Sequence, residues 1–286
     1  MQVLQELVHQ VHFKYIKHNI MDFKNLLLKS INSSILGGNA IMDIYLSDYK
    51  IEIKEDQSPL TIADKKCNDI ICKELAETEI PILSEEGSKT TYIERKNWEY
   101  FWLVDPLDGT KEFIKRNGEF TVNIALIYKQ KPIMGVIYVP ATKVLYFGLE
   151  NMGSYKKDKI TLKHINDDLD ELLKSCKKLP IKNNQNNFTI VGSRSHMSHE
   201  TELFFNKIKK KYNNVNLMSV GSSLKLCMVA EGKANVYPRY APTMEWDTAA
   251  GHAIVKYAGF SVKKYNSTKE LIYNKKNLLN PWFLVE

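Results

Sequence analysis

Cysteine is scarce in this chain of 286 residues: Cys67, Cys72, Cys176 and Cys227 are the only four, and none forms a C-x-x-C pair. That spacing offers no zinc-knuckle or redox signature. Cys67 and Cys72 share a predicted helix and Cys227 lies in an apolar helical stretch, so buried, reduced thiols are expected. No stretch is long and apolar enough to span a bilayer. The first twenty residues mix His9, His12, Lys14, Lys17 and His18 with apolar positions and lack a clean apolar signal core. Internal repeats and extended low-complexity segments are also missing. The expectation is a cytoplasmic globular protein, with residues 1–20 a helical extension, a misassigned start or a weak amphipathic contact with the inner face of a membrane.

Acid is outnumbered by base. Lys and Arg total 40 against 33 Asp and Glu, giving a net charge of +7 and a pI near 8.9. Lysine supplies most of the excess, including Lys207, Lys209, Lys210 and Lys211 on one predicted helix. Such a run is ordinarily a solvated face, and no aromatic-interleaved basic stripe or nucleic-acid motif accompanies it. Its long-range field would still draw a small polyanion.

The most informative segment is Asp105-Pro106-Leu107-Asp108-Gly109-Thr110-Lys111-Glu112-Phe113. The continuous apolar run from Tyr100 to Val104 ahead of it predicts a buried strand that delivers Asp105 to its end. Asp105 and Asp108 flank a proline-directed turn, so both can present oxygen to one hard cation such as Mg2+. Gly109 and Thr110 then offer backbone N–H groups at a helix start, a place that favours an anion. Taken alone, the motif is equally a strand, an Asx turn and a capped helix.

Two further acidic segments suit the same site. Pro81 to Gly87 reads as a short strand ending in Glu85 and Glu86. Glu245 to Ala253 starts a small-residue helix, where Asp247 would ordinarily be an N-cap. Asp64 reads as a first-turn acid of a helix over Lys65 to Glu77. Carboxylates on separate segments are what a multi-metal phosphoryl-transfer site requires.

The motifs LSEEG, WLVDPLDGTKEF and WDTAAGHA together resemble the inositol monophosphatase superfamily. The stretches KEFIKRNGEFTVNIALI and GSSLKLCMVAEGKANVYPR are similar to its bacterial 3'(2'),5'-bisphosphate nucleotidase branch. The resemblance runs from about Met21 to the C-terminus. It implies an enzyme that removes the 3'-phosphate of 3'-phosphoadenosine 5'-phosphate, with two to three Mg2+ ions, sensitivity to Li+ and no covalent intermediate. It implies that Glu85, Asp105 and the Leu107 carbonyl hold one ion, that Asp105, Asp108 and Asp247 hold a second, and that Glu85 contributes to a third; Glu86 stays in reserve. It pairs Asp64 with Thr110 as the proton-accepting relay and gives the Gly109 and Thr110 amides the phosphoryl oxygens. Ser195, His196, Ser222, Lys225 and Arg239 become the substrate-binding set, the two cations suiting a 5'-phosphate because arginine bonds phosphate bidentately and lysine acts as a point charge. The inositol enzymes typically carry an acid near the position of Arg239. Other readings are a sugar phosphatase of the same superfamily and a non-catalytic nucleotide or RNA binder.

The same resemblance implies an α+β fold, a two-domain α-β-α-β-α layered sandwich of the inositol monophosphatase and fructose-1,6-bisphosphatase type. The expected division is an extension over 1–20, an N-terminal domain over 21–155 and a C-terminal domain over 156–286. Independently of it, Thr121 to Tyr128, Ile133 to Val139 and Val144 to Leu149 read as an antiparallel meander. Alternating strands and helices after residue 187 read as an α/β half. Oligomeric state is not legible.

Overall fold

The computed structural model describes residues 21–47, 59–87, 90–165, 168–182, 187–193 and 198–286. The proposed extension over 1–20, together with Ser195 and His196, lies outside them. Among the described residues no helix is long and apolar enough to cross a membrane.

Two long helices open the fold, α1 (Phe23–Tyr45) and α2 (Pro59–Ala76). A seven-stranded sheet follows in simple order: β1 (Ile82–Ser84), β2 (Tyr100–Asp108), β3 (Thr121–Tyr128), β4 (Lys131–Val139), β5 (Val144–Leu149), β6 (Gly153–Lys157) and β7 (Lys177–Lys178). Only β1 and β2 run parallel; the other neighbours are antiparallel, as the meander reading requires. Short helices α3 (Tyr92–Arg95), α4 (Thr110–Ile114) and α5 (Leu169–Lys174) punctuate this half. Strand β6 runs through residue 155 and pairs with β7, so sheet pairing continues past that position.

The apolar run on β2 is continuous because both faces of the sheet are covered. Trp102 and Val104 enter one core with Ile31, Ile35, Ile71, Val136 and Phe147, beneath α1 and α2. Phe101 and Leu103 enter a second core on the other side, against the C-terminal half. Side chains alternate along a strand, so Asp105 falls in phase with Phe101 and Leu103.

That second core is built by α7 (Leu224–Glu231) and α8 (Glu245–Tyr257), between the large sheet and two small ones. One small sheet pairs β8 (Phe188–Ser193) with β9 (Val215–Val220) in parallel. The other places the C-terminal strand β12 (Phe283–Val285) between β10 (Tyr237–Arg239) and β11 (Val262–Lys264). Helix α6 (His199–Lys211) closes the stack, packing Phe205 with Ile190 and Val236. Helices, sheet, helices, sheets and helix give the expected five layers. The interleaving of β12 was not foreseen, because a three-residue strand at the end of the chain carries no periodic signal.

Helix α8 lies unusually close to the sheet. A Cβ on Gly135 would stand 2.2 Å from the Ala250 carbonyl oxygen, and one on Gly148 would stand 3.2 Å from Ile254 Cα. Ser154 Oγ donates to the Ile254 carbonyl at 2.7 Å, in place of a larger side chain. Small residues on both surfaces therefore set the depth of the helix that carries Asp247. All four cysteines are free, Cys67 and Cys227 buried and Cys72 and Cys176 only half-buried. We expect Gly135→Ala to destabilise the protein by about 1–3 kcal/mol, the usual cost of overpacking, read as a lower urea midpoint; an unchanged midpoint would show that the contact has slack.

Candidate metal and phosphate site

The site is assembled at the end of β2. Ser84 is in register with Val104, and Glu85 N donates to the Val104 carbonyl at 3.1 Å, which sets Glu85 beside Asp105 across the parallel pair. The register between β2 and β3 then breaks, Asp105 pairing with Asn123 and Asp108 with Thr121, with one extra residue on β2. Such a bulge re-aims the following side chain. Leu107 N donates to Asp105 Oδ1 at 3.2 Å, the predicted Asx turn. Gly109 caps α4 with φ +96°, and a Cβ there would approach Ser222 Cβ at 3.0 Å and the Glu119 carbonyl at 3.2 Å. Both the handedness and the space call for glycine.

These segments line a cleft of about 280 Å3 with Glu85, Asp105, Leu107, Asp108, Gly109 and Thr110 on one wall. Ser222, Lys225, Arg239 and Asp247, from later in the chain, form a second wall of the same cleft. Glu86 is not among the lining residues. Asp247 is the third residue of α8 rather than its N-cap: Met244 holds the cap position, and its N–H donates back to Asp247 Oδ2 at 3.0 Å. Glu245 beneath it is fully buried and accepts from the N–H groups of Asn274 and Lys275 and from Lys275 Nζ. Asp64 is not a first-turn acid, because the helix starts at Pro59, a residue pre-set for that position. Its Oδ1 is buried without a hydrogen-bond partner, and no hydrogen bond joins it to Thr110.

Sequence reasoning missed the residues that hold this wall together. Ser223 N donates to Asp108 Oδ2 at 2.6 Å. Thr121, Asn123 and Ser223 form a buried cluster beneath it, and Tyr237, Thr243 and Phe283 complete the lining. The signal for Thr121 and Asn123 was available, as two polar residues inside an otherwise apolar strand.

Electrostatically the cleft is a crowd of like charges. Burial first, and then Asp108, Glu85, Asp247 and Asp64, push Asp105 well above the usual carboxylate range. Desolvation and then Asp108 raise Asp247 to about 7. Glu85, at the rim, is raised to about 7, first because its carboxylate is partly desolvated in the cleft and then by Asp108 and Glu86. Burial, then Glu86 and Glu85, take Asp64 to about 8. Asp108 is raised by burial, while Lys225 and donors from Ser222, Ser223 and Asn123 pull it back. Lys225 is itself buried and lowered to about 8, Asp108 opposing that fall. Its ammonium donates to the Ser222 carbonyl and lies 5.8 Å from the centroid of the Tyr237 ring. Arg239 donates to the Pro242 carbonyl at 2.9 Å, and its buried Nε has no partner.

Oxygen donors alone, with the carboxylates of Glu85, Asp105, Asp108 and Asp247 among them, fit a hard cation such as Mg2+. As the side chains stand, no three His, Cys, Asp or Glu among the described residues converge tightly enough to chelate one. The carboxylates share an open cleft.

A layered fold with an acidic cleft between its halves is one side of the identification, and comparison supplies the other. The inositol monophosphatase family model matches residues 26–282, and the chain belongs to that family. It is 41% identical over 253 residues to the 3'(2'),5'-bisphosphate nucleotidase CysQ of Salmonella typhimurium, covering 87% of this chain and 94% of that one. The crystal structure of CysQ from Bacteroides thetaiotaomicron, described as a bacterial member of the inositol monophosphatase family, superposes with a TM-score of 0.89 at 50% identity, over 93% of this chain and 98% of that one. An inositol monophosphatase from Zymomonas mobilis shares the fold at a TM-score of 0.70 and 17% identity, over 92% of this chain and 93% of that one. The family is metal-dependent, generally on Mg2+.

The raised carboxylates predict a pH dependence. Asp64, Glu85 and Asp247 bind protons more tightly folded than unfolded, their values rising from an ordinary 3.8–4.5 to about 7–8. Their contribution to stability is therefore full below about pH 4 and lost as pH rises through about 7–8. Metal-free protein should melt lower at about pH 8 than at about pH 5, and Mg2+ should raise Tm more at the higher pH. Equal Mg2+ responses at both would argue against a carboxylate cation site.

Proposed function

We infer that the protein is a bisphosphate nucleotidase that hydrolyses the 3'-phosphate of 3'-phosphoadenosine 5'-phosphate to give AMP and phosphate. The observation that carries this is the pairing of walls: Lys225 and Arg239 share one cleft with Asp105, Asp108, Asp247 and Glu85. A monophosphorylated polyol gives a second pair of cations nothing to bind, whereas a nucleotide with two phosphates can span both walls. The Salmonella relative named as a nucleotidase points the same way. We read 3'-phosphoadenylyl sulfate as a second substrate, and the cytoplasm as the location.

The roles proposed are these. Glu85, Asp105 and the Leu107 carbonyl hold one Mg2+, and Asp105, Asp108 and Asp247 hold another, with Glu85 reaching a third. When bound, Mg2+ supplies a more acidic water and positive charge for the departing ribose oxygen. Asp105 has the central place, consistent with its position between the other acids that raise it. Asp64 accepts the water proton through Thr110 Oγ1; the buried, unpartnered Oδ1 of Asp64 has the capacity to do so. Gly109 and Thr110 N–H groups hold phosphoryl oxygens. Lys225 and Arg239 bind the 5'-phosphate side, with Ser222, Ser195 and His196 as further substrate-binding residues.

Phosphate release from a panel of bisphosphate nucleotides, 3'-AMP, inositol monophosphate and fructose 1,6-bisphosphate tests the reading. The expected outcome is Mg2+-dependent turnover with kcat/KM greatest for the bisphosphate nucleotide, abolished in folded Asp105→Asn. Arg239→Ala should cost about 1.5–3 kcal/mol in kcat/KM for the bisphosphate, the value of a charge-assisted bond, and leave 3'-AMP nearly unchanged. Preference for inositol monophosphate would replace this reading with a sugar phosphatase. Turnover should also fall in about millimolar Li+, through competition at the Asp105–Asp108–Asp247 site; full activity at tenfold more would count against it.

A further inference from the structure

The stretches GEFTVN and GSSLK, far apart in sequence, dock on one another residue by residue. Glu119, Thr121 and Asn123 follow each other at the period of two that puts alternate residues on one side of an extended chain. Glu119 Oε2 accepts from Gly221 N at 2.8 Å. Thr121 Oγ1 lies 2.7 Å from Ser222 Oγ and 2.8 Å from Ser223 Oγ. Asn123 Oδ1 accepts from Thr121 Oγ1 at 3.0 Å and from Ser223 Oγ at 2.9 Å. Three side chains, Glu119 just ahead of β3 and Thr121 and Asn123 on it, thus read three successive residues of the opposite half.

What they hold is strained. Ser222 has φ +53°, the left-handed region that non-glycine residues enter at a cost of about 1–3 kcal/mol and keep only when their surroundings over-determine it. Neighbouring Gly221 passes close against Glu112, where an added Cβ would stand 2.4 Å from Glu112 Cγ. The consequence of the turn is chemical: it aims Ser223 N at Asp108 Oδ2 and brings the Ser222 carbonyl to Lys225 Nζ.

We propose that Glu119, Thr121 and Asn123 are positioning residues that act through Ser222 and Ser223, orienting the Asp108 carboxylate for a cation and the Lys225 ammonium for the substrate's second phosphate. Resting on the reading of Asp108 as a cation ligand, this makes cation affinity a property of both halves of the fold. Partners that orient a metal ligand typically matter about ten- to hundredfold in affinity.

The test uses Thr121→Val, with Thr121→Ser as the conservative variant and Glu119→Ala as a second break at a half-buried position. Mg2+ affinity is measured without substrate by calorimetry, beside the Tm of the metal-free protein and the KM and kcat for the bisphosphate nucleotide. Thr121→Val and Glu119→Ala should weaken Mg2+ binding by about tenfold or more and raise KM, and Thr121→Ser should restore both. A lower Tm with Mg2+ affinity and KM unchanged would make the cluster purely structural and overturn the proposal. If wild type binds Mg2+ but Asp108→Asn binds it equally well, the ligand assignment itself fails, and the proposal with it.

Discussion

The burial of several carboxylates in one cleft is the constraint that the surrounding scaffold has to satisfy. Asp105 is buried at the end of a strand with Asp108, Glu85, Asp247 and Asp64 all pushing its proton affinity upward. A core would not assemble such a group for stability, since unpaired buried charge is costly. Its neighbours moderate the cost with fixed dipoles: the Leu107, Ser223 and Met244 N–H groups each donate to one of the acids. A bound cation would relieve the rest, so the apparent weakness of the metal-free cleft is the form a cation-binding site takes.

The scaffold serves that arrangement at each level. Full burial of both faces of β2 fixes the strand that carries Asp105, and the bulge before Asp108 re-aims that side chain, which accepts from Ser223 N. Glycines at 135 and 148 let α8 settle against the sheet, so Asp247 enters the cleft from a rigid helix. Buried Glu245, clamped by the loop at Asn274 and Lys275, fixes the start of that helix. The two walls are then joined by the Thr121, Asn123 and Ser223 cluster.

Much of this was legible in the sequence, for identifiable reasons. The apolar run before Asp105, the proline-directed turn and the glycine after Asp108 are local signals, and each specifies local geometry. The short strand before Glu85 is a local pattern, but the choice of Glu85 over Glu86 came from the family resemblance alone. The start of α2 was misjudged by several residues, since Pro59 is a better beginning than the acid inside it. The interleaving of β12, the left-handed turn at Ser222 and the docking of Glu119 on Gly221 were not legible. Each depends on segments apart in the chain meeting, Arg239 with Phe283 or Glu119 with Gly221, and nothing in either segment alone announces its partner.

The central claim is that the carboxylates of both halves form one cation site, and the most direct measurement is crystallographic. Crystals grown with Mn2+ in place of Mg2+ should give anomalous peaks inside the cleft, one contacted by Asp105, Asp108 and Asp247 and one by Asp105, Glu85 and the Leu107 carbonyl. A well-ordered cleft without an anomalous peak at saturating Mn2+, or peaks ligated only by residues outside these five, would contradict the account.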